Sequence, residues 1–286
     1  MATTHSAPHG EQNIQPPMSV FAEPGVPRIH AINTGGLAAL YVKEVRRFFK
    51  VQLQTIWAPA ITTLLYLVIF TVALSGTLKT VHGMPFADFL APGLIMMGML
   101  QNSFANASFG LLVAKIQGTI IDYLMPPLGL IELLTALSGA AITRAILVGF
   151  ALWGAMLLWP GVHVAPKHVW AIILFGLLGS AFMAFLGLIT SIWAEKFDHA
   201  SAVTNFVVLP LSLLSGTFYS VEKLSPTFAA ISHANPIFHI LSGFRYGFTG
   251  VADAPLGQGV AILVATNIAL AVGCYLLLKS GWKIKA

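Results

Sequence analysis

The chain has 286 residues; 57% are apolar or aromatic, only 9% are Asp, Glu, Lys or Arg, the net charge is +5 and the mean hydropathy is +0.82. A soluble domain carries about 25% charged residues, so a soluble globular fold is excluded, and six long apolar stretches leave no room for a large soluble domain. The single cysteine, Cys274, excludes a disulfide within the chain and any cysteine-built metal site.

In chain order, residues 1–33 are rich in Pro, His, Ser and Gly and poor in large apolar residues, the composition of a disordered tail. They lack the charged, apolar and cleavage regions of a secretory signal. His5, His9 and His30 are scattered, which argues against a metal site. From Leu37 to Leu53 the pattern changes. Leu37, Leu40, Tyr41, Val45, Phe48 and Phe49 recur at helical spacing, with Lys43, Arg46, Arg47 and Lys50 on the other side. This predicts a basic amphipathic helix in the membrane interface, its cations facing anionic head groups. It either anchors the chain and sets topology or transmits motion.

The apolar stretches run Ile56–Leu78, Phe89–Val113, Leu130–Trp159, His168–Trp193, Ala202–Tyr219 and Gly259–Leu278. Runs of about 20 apolar residues cross a bilayer as helices, and backbone groups in lipid must be satisfied internally. The stretches are apolar on all sides and about twice the length of a barrel strand, which predicts an all-α membrane protein of six transmembrane helices. Abundant Ala and Gly suit close helix packing, and Cys274 reads as a small core residue.

Two connections stand out. Ala114–Gly129, AKIQGTIIDYLMPPLG, places Ile116, Ile120, Tyr123 and Leu124 on one face and ends at Pro126 and Pro127. This predicts a short amphipathic helix across the cytoplasmic side. Ser220–Gln258 is too apolar for an ordinary loop. It is also too broken for a span, with Pro226, Pro236, Gly243, Gly247 and Gly250, which predicts interfacial or re-entrant external helices.

Charge sets the orientation. With the N-terminus inside, Arg28, Lys43, Arg46, Arg47, Lys50, Lys115, Lys196, Lys279, Lys283 and Lys285 are cytoplasmic and Lys79, Lys167, Lys223 and Arg245 external. Both termini are therefore expected in the cytoplasm. No basic patch is interleaved with exposed aromatics, so the charge does not read as nucleic-acid binding.

No P-loop, HExxH, GxSxG or CxxC motif and no paired carboxylates within the spans occur. An intramembrane enzyme has no visible equipment, and no internal repeat supports a secondary transporter of inverted halves. Arg144 is the notable intramembrane charge. It lies twelve residues beyond Glu132, about 18 Å along a helix, and is either a contact for an anionic substrate group, a gating contact or a structural bond. Glu132 reads as a helix-start charge. Gln101, Asn102, Ser103, Asn106 and Ser108 in the second span are candidates for interhelical hydrogen bonds or a polar path lining. The fifth span carries Thr204, Asn205, Ser212 and Ser215, with Pro210 as a kink.

These features together resemble the permease subunits of ABC transporter type-2 exporters, the class of polysaccharide, nodulation-factor and drug export permeases, and its YadH-like bacterial branch in particular. The resemblance rests on FLAPGLIMMGML (89–100) with the polar run to Phe109, on KIQGTIIDYLMPP (115–127), and on LPLSLLSGTFY (209–219) followed by HANPIFHILSGFRYGFTG (233–250). Asp122 and Tyr123 stand where Glu and Leu are more usual in the family, and Gly118 where a basic residue is common.

The resemblance implies a homodimer of this chain with two separately encoded ABC ATPase subunits. ATP and Mg would sit on those partners, and this chain would hold no cofactor or metal and catalyse nothing. Gln117, Asp122, Tyr123 and Pro126 would form the ATPase-coupling helix, and Lys43, Arg46 and Arg47 the gate helix beside it. Gln101, Asn102, Asn106, Arg144 and Asn205 would belong to the substrate path, and Phe218, Tyr219, Asn235, Arg245 and Tyr246 to the external gate. The location would be the bacterial inner membrane, and the cargo an amphipathic, lipid-linked, glycan or drug-like molecule moved outward. The rival readings are an ATP-independent secondary transporter or channel, which would need a charged relay in the spans, and a non-transporting subunit that docks an ATPase.

Overall fold

The computed structural model describes residues 33–74, 80–219 and 226–283. The expected tail lies, apart from Asn33, outside the described residues, as do Arg28, Lys79, Lys223 and Lys285 of the orientation set.

Asn33 caps α1 (Thr34–Phe49), its side-chain oxygen accepting from the Gly36 N–H at 2.9 Å. Leu40, Glu44 and Phe48, spaced by four, form the buried stripe, and α1 packs along α5 (Leu130–Leu157). The helix stops four residues short of the expected Leu53. The chain turns at Lys50 and Val51, and Thr55 Oγ1 donates to the carbonyls of Phe48 (3.2 Å) and Val51 (3.1 Å). A π-helical stretch, Leu53–Trp57, then leads into α2 (Ala58–Leu74). A second π-helical stretch, Thr204–Val208, joins α7 (Phe197–Val203) to α8 (Leu209–Leu214). Each ends two residues before a proline, Pro59 and Pro210. Proline lacks an N–H and crowds the carbonyl four residues back. The wider turn absorbs this, with the Ala58 and Leu209 N–H groups reaching five residues back to Leu53 and Thr204. The expected kink at Pro210 is thus a widened turn.

The all-α expectation gains one exception. Strands β1 (Thr80–Val81) and β2 (Met84–Pro85) pair antiparallel around His82 and Gly83, both at positive φ (51° and 76°), the backbone of a tight hairpin turn.

Helix α3 (Phe86–Ile116) is the axis of the bundle, about 46 Å long at 1.5 Å per residue. It packs on α5, α2, α6 (Val169–Trp193) and α10 (Pro236–Thr249). The closest seam is with α6. A methyl at Gly187 would stand 2.7 Å from the Phe104 carbonyl oxygen and 2.9 Å from Ala107 Cβ. Backbone cannot yield as a side chain does, so Gly187→Ala is expected to destabilise by about 1–3 kcal/mol. Gly154→Ala, with nothing within 4 Å, should leave the detergent melting temperature unchanged or higher.

Five helical runs among the described residues are long and apolar enough to span: Leu53–Ala73, α5, α6, Phe197–Leu214 and α11 (Leu256–Ser280). Helix α3, expected as the second of six spans, does not meet that apolarity because of its band of Gln101, Asn102, Ser103 and Asn106. It can carry this band because most of its residues are buried by other helices rather than facing outward. The expected fifth span to Tyr219 ends as helix at Leu214. Beyond it, α9 (Pro226–Ala234) and α10 are nine and fourteen residues long. At about 13 and 21 Å they fall short of a 30 Å hydrocarbon core. Helix α10 is nearly all buried, against α6, α11 and α3.

Polar contacts sort the bundle into two ends. At one end Lys115 Nζ, from the last turn of α3, donates to the carbonyls of Ser191 (3.2 Å), Ile192 (2.8 Å) and Ala194 (2.6 Å), closing the C-terminus of α6. Glu195 pairs with Lys283 beyond α11 at 2.7 Å, and this cation holds its carboxyl below the usual range. Glu132, at the start of α5, accepts from the backbone N–H groups of Gly129 and Asn33, tying α5 to α1. At the other end the His163 N–H donates to Asp88 (2.7 Å), and Lys167 and His168 N–H groups donate to the Gly247 carbonyl (2.9 and 2.8 Å).

Candidate coupling and permeation site

The connection after α3 is shorter in helix than its periodicity suggested. Gly118 adopts φ +73°, which breaks the run, and only one helical turn, α4 (Ile121–Leu124), survives. Gln117, Asp122 and Pro126 are exposed, together with the apolar Ile116, Ile121, Leu124 and Met125. Tyr123 points the other way and is buried. Its hydroxyl donates to Glu44 Oε1 at 2.7 Å. Glu44 is 1% exposed and pairs through Oε2 with Arg47 (2.8 Å), whose Nη2 reaches the side-chain and backbone oxygens of Asn106, each at 3.3 Å. Lys43 Nζ lies 3.9 Å over the Tyr123 ring. Burial and the Glu44 carboxylate push the Tyr123 phenol up, so it keeps the proton it donates. Of the residues assigned to gate and coupling roles, Lys43, Arg47 and Tyr123 therefore meet. Arg46 is exposed and outside the junction. Glu44 was not singled out, although a carboxylate midway between Leu40 and Phe48 on a helix face was the available signal.

One turn further along α3, Asn102 Oδ1 accepts from Arg144 Nη2 at 2.9 Å, while Asn102 Nδ2 donates to the Gly98 carbonyl at 3.0 Å. Asn102 and Asn106 are buried, Gln101 and Arg144 partly so, and Asn205 is exposed on the π-helical stretch. Ser103 Oγ donates to the Ser180 carbonyl of α6 at 2.6 Å. Asn102, Ser103 and Asn106 thus bond to other helices, whereas Ser108, Thr204, Ser212 and Ser215 bond back to their own segments.

Known proteins bear on this arrangement. The family profile described as ABC-2 type transporter matches residues 36–249. This chain belongs to the ABC-2 type transporter family. It is 34% identical over 246 residues to the inner membrane transport permease YadH of Escherichia coli K12, covering 86% of this chain and 95% of that one. It is 26% identical over 189 residues to nodulation protein J of Neorhizobium galegae (65% and 71%). It is 28% identical over 142 residues to the capsule polysaccharide export inner-membrane protein BexB of Haemophilus influenzae (49% and 50%). With its apolar helices, the chain is a multi-pass inner-membrane permease subunit of an ABC transporter, a family that works with an ABC ATPase.

In this ABC-2 permease the opposite end carries a second buried cluster. Arg245 reads from the sequence as an external charge, and the fold leaves it 2% exposed. Its Nη1 pairs with Asp253 at 2.5 Å, its Nη2 donates to the Gly216 carbonyl at 2.8 Å, and its guanidinium lies 3.9 Å over the Phe89 ring. His82 Nε2 stands 3.5 Å from the other Asp253 oxygen. Asp253 was missed. Its placement depends on Ser242 Oγ, which accepts from the Asp253 and Ala254 N–H groups (2.9 and 3.0 Å) and folds the loop back. Asn235 caps α10 through Ile237 (3.0 Å) and donates to the Leu211 carbonyl (2.8 Å). Phe218 packs on Phe70 of α2, Tyr219 beside Phe238, and Tyr246 stacks on His168 (4.6 Å between centroids). Arg245, Asn235 and Phe218 thus join the segments around α8, α10 and α2, while Tyr246 belongs to the α6 side.

Proposed function

We propose that this permease is the membrane-spanning half of an ATP-driven exporter in which two copies of the chain work with two separate ATPase subunits. The observation that carries this reading is the junction of Tyr123, Glu44, Arg47 and Asn106. It links the exposed turn of α4 to the gate helix α1 and to the polar face of α3, so a push on the turn is felt at the polar band. The exposed Gln117, Asp122, Pro126 and Met125 supply a docking surface of mixed character for the ATPase. Helix α3 serves as the sixth span, and α9 and α10 as re-entrant helices.

The end of the bundle bearing Lys43, Arg46, Arg47, Lys50, Lys115, Lys196, Lys279 and Lys283 faces the cytoplasm, with both termini. The second copy packs against α2 and the Phe197–Leu214 run, whose Ile61, Leu65, Ile69 and Phe206 are unpacked within one chain. The path runs along α3 and the π-helical stretch at Asn205, closed outside by the Arg245 cluster with Phe218 and Tyr219. Outward transport of an amphipathic, lipid-linked, glycan or drug-like cargo is favoured by the export named for the capsule polysaccharide relative.

Charge reversal tests the docking surface. Asp122→Lys is expected to leave the chain folded, since Asp122 is exposed, and to abolish stimulation of the partner's ATP hydrolysis by the permease. Stimulation equal to wild type would refute the coupling assignment.

A further inference from the structure

Arg144 is a partly buried cation whose charge no carboxylate among the described residues answers. Among the described residues, Glu44 is held by Arg47 and Tyr123, Glu132 by two backbone N–H groups, Asp88 by His163, Glu195 by Lys283 and Asp253 by Arg245. Asp122 and Asp198 are exposed at the bundle end. The Arg144 guanidinium bonds only the neutral Asn102, and its Nε is buried without an acceptor. The side chain as a whole keeps partial exposure, so the fork is not sealed off. One turn along the same face of α3, about 6 Å away, Asn106 receives Arg47, whose charge is answered by Glu44. Two arginines therefore stand in sequence along one row of amides, the first neutralised and the second not. An unanswered charge at this depth is expensive, and a guanidinium fork matches a two-oxygen anion.

We propose that Arg144 is the anion-binding residue of the permeation path, taking the phosphate or carboxylate head group of an amphiphilic cargo, with Asn102 orienting the fork. This rests on the permease reading and names the chemical class of its cargo.

The test is equilibrium binding to the purified full chain in dodecyl maltoside, which needs no ATPase, so its failure is separable from failure of the exporter reading. Dodecyl phosphate and inorganic phosphate are titrated against intrinsic tryptophan fluorescence, with added dodecyl maltoside as the uncharged control. Saturable dodecyl phosphate binding is expected, weakened about tenfold or more in Arg144→Gln and only partly recovered in Arg144→Lys, whose ammonium keeps the charge but lacks the fork. Asn102→Ala, which keeps the charge, should give a smaller loss and guards against a misfolded Arg144→Gln. Inorganic phosphate competing as well as dodecyl phosphate would assign the site to a free anion; failure to compete would assign it to an amphiphile head group. Binding unchanged in Arg144→Gln, with only the melting temperature lowered, would overturn the proposal and leave Arg144 a structural bond. A response to dodecyl maltoside equal to that for dodecyl phosphate would overturn it as well.

Discussion

Arg245→Met is expected to destabilise the protein by about 3–5 kcal/mol, the largest effect of any single polar substitution considered for this chain. Arg245 is fully enclosed, and its removal strands Asp253, itself 4% exposed, as a buried carboxylate. The Gly216 carbonyl loses its donor, and the face of Phe89 loses its cation. Arg245→Lys should recover only part of the loss, because an ammonium cannot serve Asp253, Gly216 and the Phe89 face with one planar group. The double variant Arg245→Met/Asp253→Ala should be more stable than Arg245→Met alone, since it removes the stranded charge together with its partner. Unfolding in detergent, followed by thermal or denaturant titration, gives the ordering. A double variant less stable than the single would show that Asp253 is held mainly by Ser242 and His82.

Glu44→Ala carries the second large effect, and it should divide stability from coupling. The carboxylate is 1% exposed and is the common acceptor for Tyr123 and Arg47. Arg47 is about a third exposed and can turn toward water, which softens the penalty on its side. Tyr123 is buried and cannot, so the loss of a charged acceptor is expected to cost about 1.5–3 kcal/mol. Glu44→Gln keeps an acceptor for Tyr123 and gives up the ion pair, so it should be milder in stability. Tyr123→Phe removes the donor alone and should uncouple without unfolding. The decisive readout is ATP hydrolysis by the reconstituted complex. All three variants are expected to lower the permease-dependent stimulation, Tyr123→Phe with little change in melting temperature. Full stimulation in Tyr123→Phe would mean that the junction holds the fold without transmitting motion.

The apolar stretches, the amphipathic helix and the broken external segment were legible because each is a pattern within 20 to 40 neighbouring residues. What escaped depends on contacts between distant parts of the chain. Lys115 reads as an orientation charge, yet it closes the end of α6 on carbonyls 76 or more residues away. Arg245 reads as an external cation, and only the fold of the 250–254 loop onto Ser242 shows that it is buried. Pro210 reads from the sequence as a kink, and the fold absorbs it, like Pro59, in a π-helical turn. Gly118 stands out in the sequence only as a departure from the family's pattern, while its consequence, a coupling segment reduced to one turn, comes from the backbone. Helix α3 shows the limit of hydropathy. Its amides lower its apolarity below that of its neighbours, and it tolerates them by being surrounded.

The central claim is that this chain transmits work from a separate ATPase. The most direct measurement is purification of the tagged full chain from its own host's membranes, with identification and quantification of what co-purifies. The account predicts a P-loop ATPase at one copy per copy of this chain, hydrolysing ATP in the complex and lost or silenced by Asp122→Lys. Recovery of the folded chain as a bare oligomer in several detergents, with transport activity and no ATPase, would contradict it.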